Sequence, residues 1–277
     1  MLQVSMVLSG VSCGSSDSEQ GDRPDRPGQS EVIDLEQQSS GNPETLSPDA
    51  LNPITIDGNN SSLGTAIAAP NLHVNQNVVN VYGEPNIDGE IVTQALHGEP
   101  ITVKQQQGKW LQVELPDQFN YRGWLKSNQV NSVQSELDQT RSQYIVAEFD
   151  TTVLTNPDPN SKVIERLTMG TIVYGQSDRD HPNFAKVQLV NGQQGYAPIA
   201  TLQPFLSPKA PPPTSTALLA TATKLLNQPY LWGGMSSDGV DCSGFIHTVF
   251  KIHGIKLHRD VDLQFEYDGV AIESPEH

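Results

Sequence analysis

Apolar positions along this chain change their period part-way through. From Ala66 to about Val133 they fall in short alternating runs, such as Ile101-Thr-Val103, Trp110-Leu-Gln-Val-Glu114 and Gly123-Trp-Leu125. Turn residues separate the runs at short intervals, which is the pattern of a small all-β barrel. Tyr144 to about Leu206 repeats it. Pro85 and Pro157, Ile91 and Val163, Gly98 and Gly170, and Gly123 and Gly195 each stand 72 residues apart, whereas Val113 matches Val187 at 74. A small indel absorbed in a loop accounts for the difference. Two copies of one fold follow, too few for a solenoid array. Trp110 and Trp124 are answered by Phe184 and Tyr196, and Trp110 reads as a core residue. Further on the period lengthens to that of helices. Thr214 or Ser215 caps a first helix with Ala217, Leu218, Ala222, Leu225 and Leu226 as its buried stripe. Phe245, Ile246, Val249, Phe250 and Ile252 mark a second helix, which Gly254 stops.

The remaining stretches lack such periods. Residues 14–63 are rich in Ser, Asp, Glu, Gln, Asn and Pro and poor in aromatics, so they cannot bury enough surface to fold and read as a disordered tether. Pro204 to Pro213 reads as a stiff polyproline linker, with a disordered spacer as the alternative. Met1 to Cys13 is mildly apolar and uncharged, then gives way to Gly14-Ser15-Ser16-Asp17. It resembles the tail of a bacterial lipoprotein signal with Cys13 as the lipidation candidate. No Lys or Arg precedes it, and Gly10 stands where such signals carry Leu or Val, so either the start lies upstream or the segment is an ordinary N-terminus.

Composition narrows the function. With 277 residues the chain can hold two or three small domains. A net charge of −16 leaves no basic footprint for nucleic acid, and it disfavours passive adhesion to anionic wall polymers. The two cysteines, Cys13 and Cys242, suggest neither a disulfide framework nor a metal site. No stretch approaches the length of a membrane-spanning helix, and no cofactor is implied.

The chemistry concentrates between Asn227 and Ile246. Asp241 is a good N-cap, so Cys242 falls in the first turn of the second helix. Backbone N–H groups and the helix dipole there favour thiolate over thiol. Gly233, Gly234 and Gly239 before the cysteine, and Ser243-Gly244 after it, leave little bulk around the sulfur. A nucleophile is the favoured reading over a buried structural cysteine.

Tyr230-x-Trp232-Gly233-Gly234, Asp241-Cys242-Ser243-Gly244-Phe245 and Leu257-His258-Arg259-Asp260-x-x-x-Gln264 resemble, in order and spacing, the N-terminal half of an NlpC/P60 cysteine peptidase. The two barrels resemble bacterial SH3-like (SH3b) domains. The fold expected is two small all-β SH3-like barrels followed by the helical N-terminal half of an α+β papain-like domain. Its divisions are 1–13 partial signal, 14–63 tether, 64–134 and 143–206 barrels, 207–214 linker and 215–277 NlpC/P60 domain. The resemblance implies a thiolate attack by Cys242 on a γ-D-glutamyl–diamino acid amide in cell-wall peptides of the type L-Ala-γ-D-Glu-diamino acid. It implies Tyr230 beside the thiolate, Trp232 as an apolar wall, and Asp241 and Ser243 shaping the substrate site. Arg259 and Asp260 would border the D-glutamyl pocket, where Val261 replaces a serine common in relatives. Glu99 and Tyr121 of the first barrel are candidates for the substrate's free α-amine, with a solvated turn glutamate and a barrel-edge tyrosine as the alternatives. His247, His253 and His258 read as surface or capping residues, without metal-ligand spacing.

In the family the base is a histidine on a later strand, in a His-Val-Gly-Ile-like context, and the chain stops at Ala271-Ile-Glu-Ser-Pro-Glu-His277 before that strand is expected. The expectation is a truncated catalytic domain, inactive alone, whose helices lack a sheet to pack on. Two readings stand: a cell-wall endopeptidase of the envelope, exported and tethered by a lipid anchor, or a non-catalytic wall-binding module built on the barrels. The chain would stay cytoplasmic if it carries no signal.

Overall fold

A computed structural model describes residues 72–132, 142–205 and 211–270. The expectations for Cys13, the 14–63 tether and the segment 271–277 concern residues outside these. Among the described residues no helix is long and apolar enough to cross a membrane.

The first barrel comprises β1 (Leu72–Val74), β2 (Val78–Tyr82), β3 (Ile91–Leu96), β4 (Pro100–Gln107), β5 (Trp110–Leu115), β6 (Tyr121–Lys126) and β7 (Val130–Ser132). Its strands are ordered β3-β2-β6-β5-β4-β1-β7. The second, β8 (Ser142–Val146), β9 (Asp150–Leu154), β10 (Val163–Thr168), β11 (Ile172–Ser177), β12 (Phe184–Gln188), β13 (Gln194–Pro198) and β14 (Leu202–Pro204), has the same order displaced by seven strands. Alternation builds the cores. In β5, Leu111, Val113 and Leu115 point inward with Val79, Val81 and Leu125. In the second copy Val153, Leu167, Val173 and Val187 do the same.

The internal repeat is visible at atomic detail. Gly98 and Gly170 adopt φ of 80° and 84°, a left-handed turn that favours glycine. At Gly123 a Cβ would meet Val81 Cγ1 at 2.5 Å and the Tyr82 carbonyl at 2.9 Å; at Gly195 it would meet Val153 Cγ1 at 2.5 Å and the Leu154 carbonyl at 2.8 Å. Val113 pairs with Gly123 across β5 and β6, and Val187 pairs with Gly195 across β12 and β13. The 74-residue match is therefore a true structural equivalence. Trp110 departs from its expected place in the core. It is half-buried, packs edge-on against Tyr82 with centroids 5.6 Å apart, and lies under the Lys126 ammonium, because the inward positions of β5 belong to its aliphatic neighbours.

Beyond the barrels stand α1 (Ser215–Thr223), a short hairpin of β15 (Met235–Ser236) and β16 (Gly239–Val240), and α2 (Cys242–Ile252). Thr214 caps α1, its hydroxyl accepting from Ala217 N. Asp241 caps α2 through Gly244 N at 2.7 Å, and Gly254 at φ 75° ends it. The helices are not left without a partner. Leu225, Val249 and Ile252, with Leu218, Ala222 and Phe245 beside them, close a third core on Ile145, Ala147 and Met169 of the second barrel. Each fully buried side chain of this kind contributes about 1.5–3 kcal/mol. Leu226 falls outside the expected stripe and is exposed, because the helix ends at Thr223 and the chain turns away there.

Candidate active site

The turn from Tyr230 to Asp241 delivers the cysteine, and both barrels grip it. Gln94 Oε1 accepts from Met235 N at 2.9 Å, and Thr168 Oγ1 accepts from Ser237 N at 2.7 Å. The Trp232 indole N–H donates to Glu90 Oε1 at 2.8 Å. Gly233, at φ 75°, lies so close to the Ile91 backbone that no Cβ would fit.

Asp241 is the hub of the turn. Its Oδ2 accepts from Gly233 N at 2.9 Å, and its Oδ1 holds the helix cap. The Arg259 guanidinium closes on both oxygens, Nη2 to Oδ2 at 2.6 Å and Nη1 to Oδ1 at 3.1 Å. Nη1 also reaches Ser243 Oγ at 2.9 Å. Its Nε donates to Thr93 Oγ1 of the first barrel at 3.0 Å. Arg259 is 1% exposed. Gln264 holds the third motif in place, donating to the carbonyls of Ser243 and His258.

A cleft of about 420 Å³ opens at the N-terminus of α2. Cys242, Tyr230, Trp232, Asp241, Ser243, Arg259 and Asp260 line it from the C-terminal segment, and Glu90, Gln112, Tyr121, Arg122 and Trp124 from the first barrel. The structure thus brings together every expected site residue but two. Cys13 lies outside the described residues. Glu99 lies away from the cleft: it is buried, accepts from Leu96 N at 2.8 Å and faces Lys251 Nζ at 3.7 Å. Burial raises its pKa, against the pull of Lys251. Both readings of Glu99 fail, since it is neither solvated nor at the cleft; one residue before β4, its carboxylate is held inside the turn by Leu96 N.

Tyr121 is buried, and its hydroxyl donates to Asp260 Oδ1 at 3.3 Å. Burial first, and the Asp260 charge second, push its pKa up, so it stays a phenol. The acid that sequence reasoning missed is Glu90, exposed at the cleft one residue before β3. No sequence signal marks it, because its role depends on the docking of Trp232 from 142 residues away.

No histidine lines this cleft among the described residues. His253 sits at the C-cap of α2 and shares a hydrogen bond with Thr221 Oγ1 at 2.9 Å. His258 pairs with Asp268 at 2.9 Å and stacks on Phe119. His247 corrects the expectation of a surface residue: it is 1% exposed, with neither ring nitrogen hydrogen-bonded. Burial, helped by the Lys251 and Arg259 charges, holds its pKa well below the usual value. Helical geometry turns it about 140° around α2 from Cys242. No group of three or more His, Cys, Asp or Glu among the described residues could hold a metal.

Residues 81–130 match a bacterial dipeptidyl-peptidase SH3 domain, and residues 227–276 match the NlpC/P60 family. The chain carries an NlpC/P60 domain. A γ-D-glutamyl-L-lysine dipeptidyl-peptidase of Bacillus cereus is 31% identical over 66% of this chain and 56% of its own length. Dipeptidyl-peptidase 6 of Lysinibacillus sphaericus is 27% identical over 66% of this chain and 69% of its own. The match thus spans just over half to about two thirds of these relatives. A solved NlpC/P60 family protein from Bacillus cereus superposes with a TM-score of 0.65 at 25% identity, covering 73% of this chain and 78% of that one. The NlpC/P60 domain therefore sits behind an SH3-like domain, with Cys242 and the cleft at their junction.

Proposed function

We propose that this chain belongs to a bacterial peptidoglycan-peptide endopeptidase, with Cys242 as the nucleophile cutting the γ-D-glutamyl–diamino acid amide. The relatives' names support the substrate class. The observation that carries the reading is the placing of Cys242, at the N-terminus of α2 and inside a cleft lined also by Glu90 and Tyr121 of the first barrel and by Asp260. The Glu90 and Asp260 carboxylates in the cleft suit a substrate ammonium and reject peptides lacking one. The sulfur of Cys242 attacks the γ-carbonyl carbon and gives up its proton; the C–N bond breaks, the diamino acid leaves as the amine carrying that proton, and water cleaves the thioester to release the γ-D-glutamyl product and restore the thiol. Tyr230 at the cleft rim suits a hydrogen bond to the oxyanion. Val261 lines the cleft where the resemblance expects a serine, so that hydroxyl donor is missing and the relatives' fine specificity is not carried over.

The second sheet, with its matching order and matching glycines, is read as a second SH3b domain, and α1 and α2 as the helical half of a papain-like fold. Turnover of this kind requires a histidine base, and among the described residues no histidine lines the cleft. The alternative, a wall-binding module without catalysis, has less support, because both barrels spend surface on gripping the nucleophile turn.

The test avoids any need for the base. L-Ala-γ-D-Glu carrying a chloromethyl ketone at the scissile position is incubated with the protein and followed by peptide mass spectrometry. Alkylation of Cys242 is expected, absent in Cys242→Ala and suppressed by N-acetylating the probe. Equal labelling of the acetylated and free probes would refute the amine-directed reading, and labelling elsewhere than Cys242 would refute the nucleophile.

A further inference from the structure

The cysteine helix is not anchored within its own domain alone. From the core of the first barrel, Gln118 Oε1 accepts from the Thr93 hydroxyl at 2.7 Å. Thr93 Oγ1 in turn accepts from Arg259 Nε at 3.0 Å, and Arg259 forks onto Asp241, whose Oδ1 caps α2 one residue before Cys242. Every side chain in this relay is at least nine-tenths buried: Thr93 0%, Gln118 1%, Arg259 1%, Asp241 7%. A planar guanidinium has only one orientation that satisfies Nε and both Nη groups together. Thr93 therefore selects that orientation. Nothing in the NlpC/P60 motifs supplies the Nε acceptor.

We propose that Thr93 is a positioning residue for the Cys242 nucleophile, acting from the SH3-like barrel through Arg259 and Asp241. The effect is electrostatic as well as geometric. Asp241 directly precedes Cys242 in the chain, and the Arg259 guanidinium pairs with its carboxylate. With Arg259 locked, the Asp241 charge is balanced and the cap that holds the first turn of α2, where Cys242 sits, stays formed. With Thr93 removed, Arg259 Nε loses its buried acceptor and the fork relaxes away from Asp241. The uncompensated carboxylate then disfavours thiolate, and the cap loosens. Both changes act in the same direction.

This inference deepens the peptidase reading, but its test does not rest on turnover. The full chain is alkylated with iodoacetamide from pH 5 to 9, and the rate at the Cys242 peptide is read by mass spectrometry, separately from Cys13. Thr93→Val keeps the shape and removes the hydroxyl. It is expected to slow alkylation at pH 7 by about three- to tenfold and to move the midpoint of the rate profile to higher pH. Thr93→Ser is expected to restore the wild-type profile. A purely structural role would lower the melting temperature of Thr93→Val without moving that midpoint. Should Thr93→Val fail to fold, Arg259→Lys keeps the charge but cannot hold Thr93 and both Asp241 oxygens at once, and the same upward movement is expected. An unchanged profile in the folded variants, or a Thr93→Ser profile as displaced as that of Thr93→Val, overturns the proposal. If the profile moves while the chloromethyl ketone probe fails, the positioning role stands and the peptidase reading falls.

Discussion

The Asp241–Arg259 pair lends itself to a quantitative test, because the two partners are left in unequal circumstances when the other is lost. In Asp241→Asn the cap survives, since asparagine caps as well as aspartate. Arg259, however, keeps only the neutral hydroxyls of Thr93 and Ser243 at 1% exposure. An uncompensated buried charge costs about 3–5 kcal/mol. In Arg259→Met the Asp241 carboxylate retains donors from Gly233 N, Gly244 N and the Ser243 hydroxyl. Hydrogen bonds to a charged group are each worth about 1.5–3 kcal/mol, so these retained donors offset part of the loss; the expected cost is about 2–3 kcal/mol. The double variant replaces the ion pair with a capping amide and an apolar chain of similar length. Replacements of that kind are often neutral, so the double variant should lie within about 2 kcal/mol of wild type. The coupling is then about 3 kcal/mol or more, far beyond the roughly 0.5 kcal/mol scatter of independent sites. Thermal unfolding of the four proteins at pH 7 reads this directly. At about 2–4 °C per kcal/mol for a chain of this size, Asp241→Asn should melt about 6–20 °C below wild type and the double variant well above it. Strict additivity of the two single losses would refute the claim that the pair acts as a unit.

Two further outcomes are expected. Replacing Glu90 by Gln removes the exposed carboxylate that faces the cleft; loss of a charge-assisted contact of about 1.5–3 kcal/mol should raise the concentration of free-amine probe needed for half-maximal labelling by about 10- to 100-fold. The maximal labelling rate should be unchanged, and an unaltered concentration dependence would exclude Glu90 from amine recognition. Burial holds His97 at a pKa of about 4, against 6.5 in the unfolded chain, so the unfolded state takes up its proton first as pH falls. Stability is therefore lost below about pH 6.5, by about 2 kcal/mol at pH 5. Buried His247 acts in the same direction, and Glu99, with its raised pKa, in the opposite one. His97→Gln keeps an acceptor for Val190 N; its melting temperature should gain on wild type between pH 7.5 and pH 5, and parallel curves would exclude a neutral buried His97.

Much of this was legible in the sequence, because local chemistry decided it. The 72-residue offset and its slip to 74 located equivalent strands, since a glycine pressed against a neighbouring strand leaves little choice of residue. The cap at Asp241 and the stop at Gly254 bounded α2. What escaped was fixed by docking between distant segments. Glu90 gains its place from Trp232, Thr93 and Gln94 gain theirs from Arg259 and Met235, and the floor of α1 and α2 is a face of the second barrel. Thr93 and Gln94 are buried polar neighbours in one strand, which strand alternation alone does not explain. His247 looked ordinary because a lone histidine on a helix gives no sign of which elements cover it.

The shared floor has a consequence for how such a chain can change over time. Ile145, Ala147 and Met169, which support the helices, correspond at the 72-residue offset to His73, Asn75 and His97 in the first copy. The same backbone positions thus carry an oily platform in one repeat and polar groups in the other, with Asn75 bonded to Asn131 and His97 accepting from Val190 N. The two matching sheets serve different neighbours. Recombination that fused them into a single copy, or exchanged their order, would set polar side chains beneath α2 or leave the nucleophile turn without Thr93. The two copies are mutually dependent, and neither can stand in for the other.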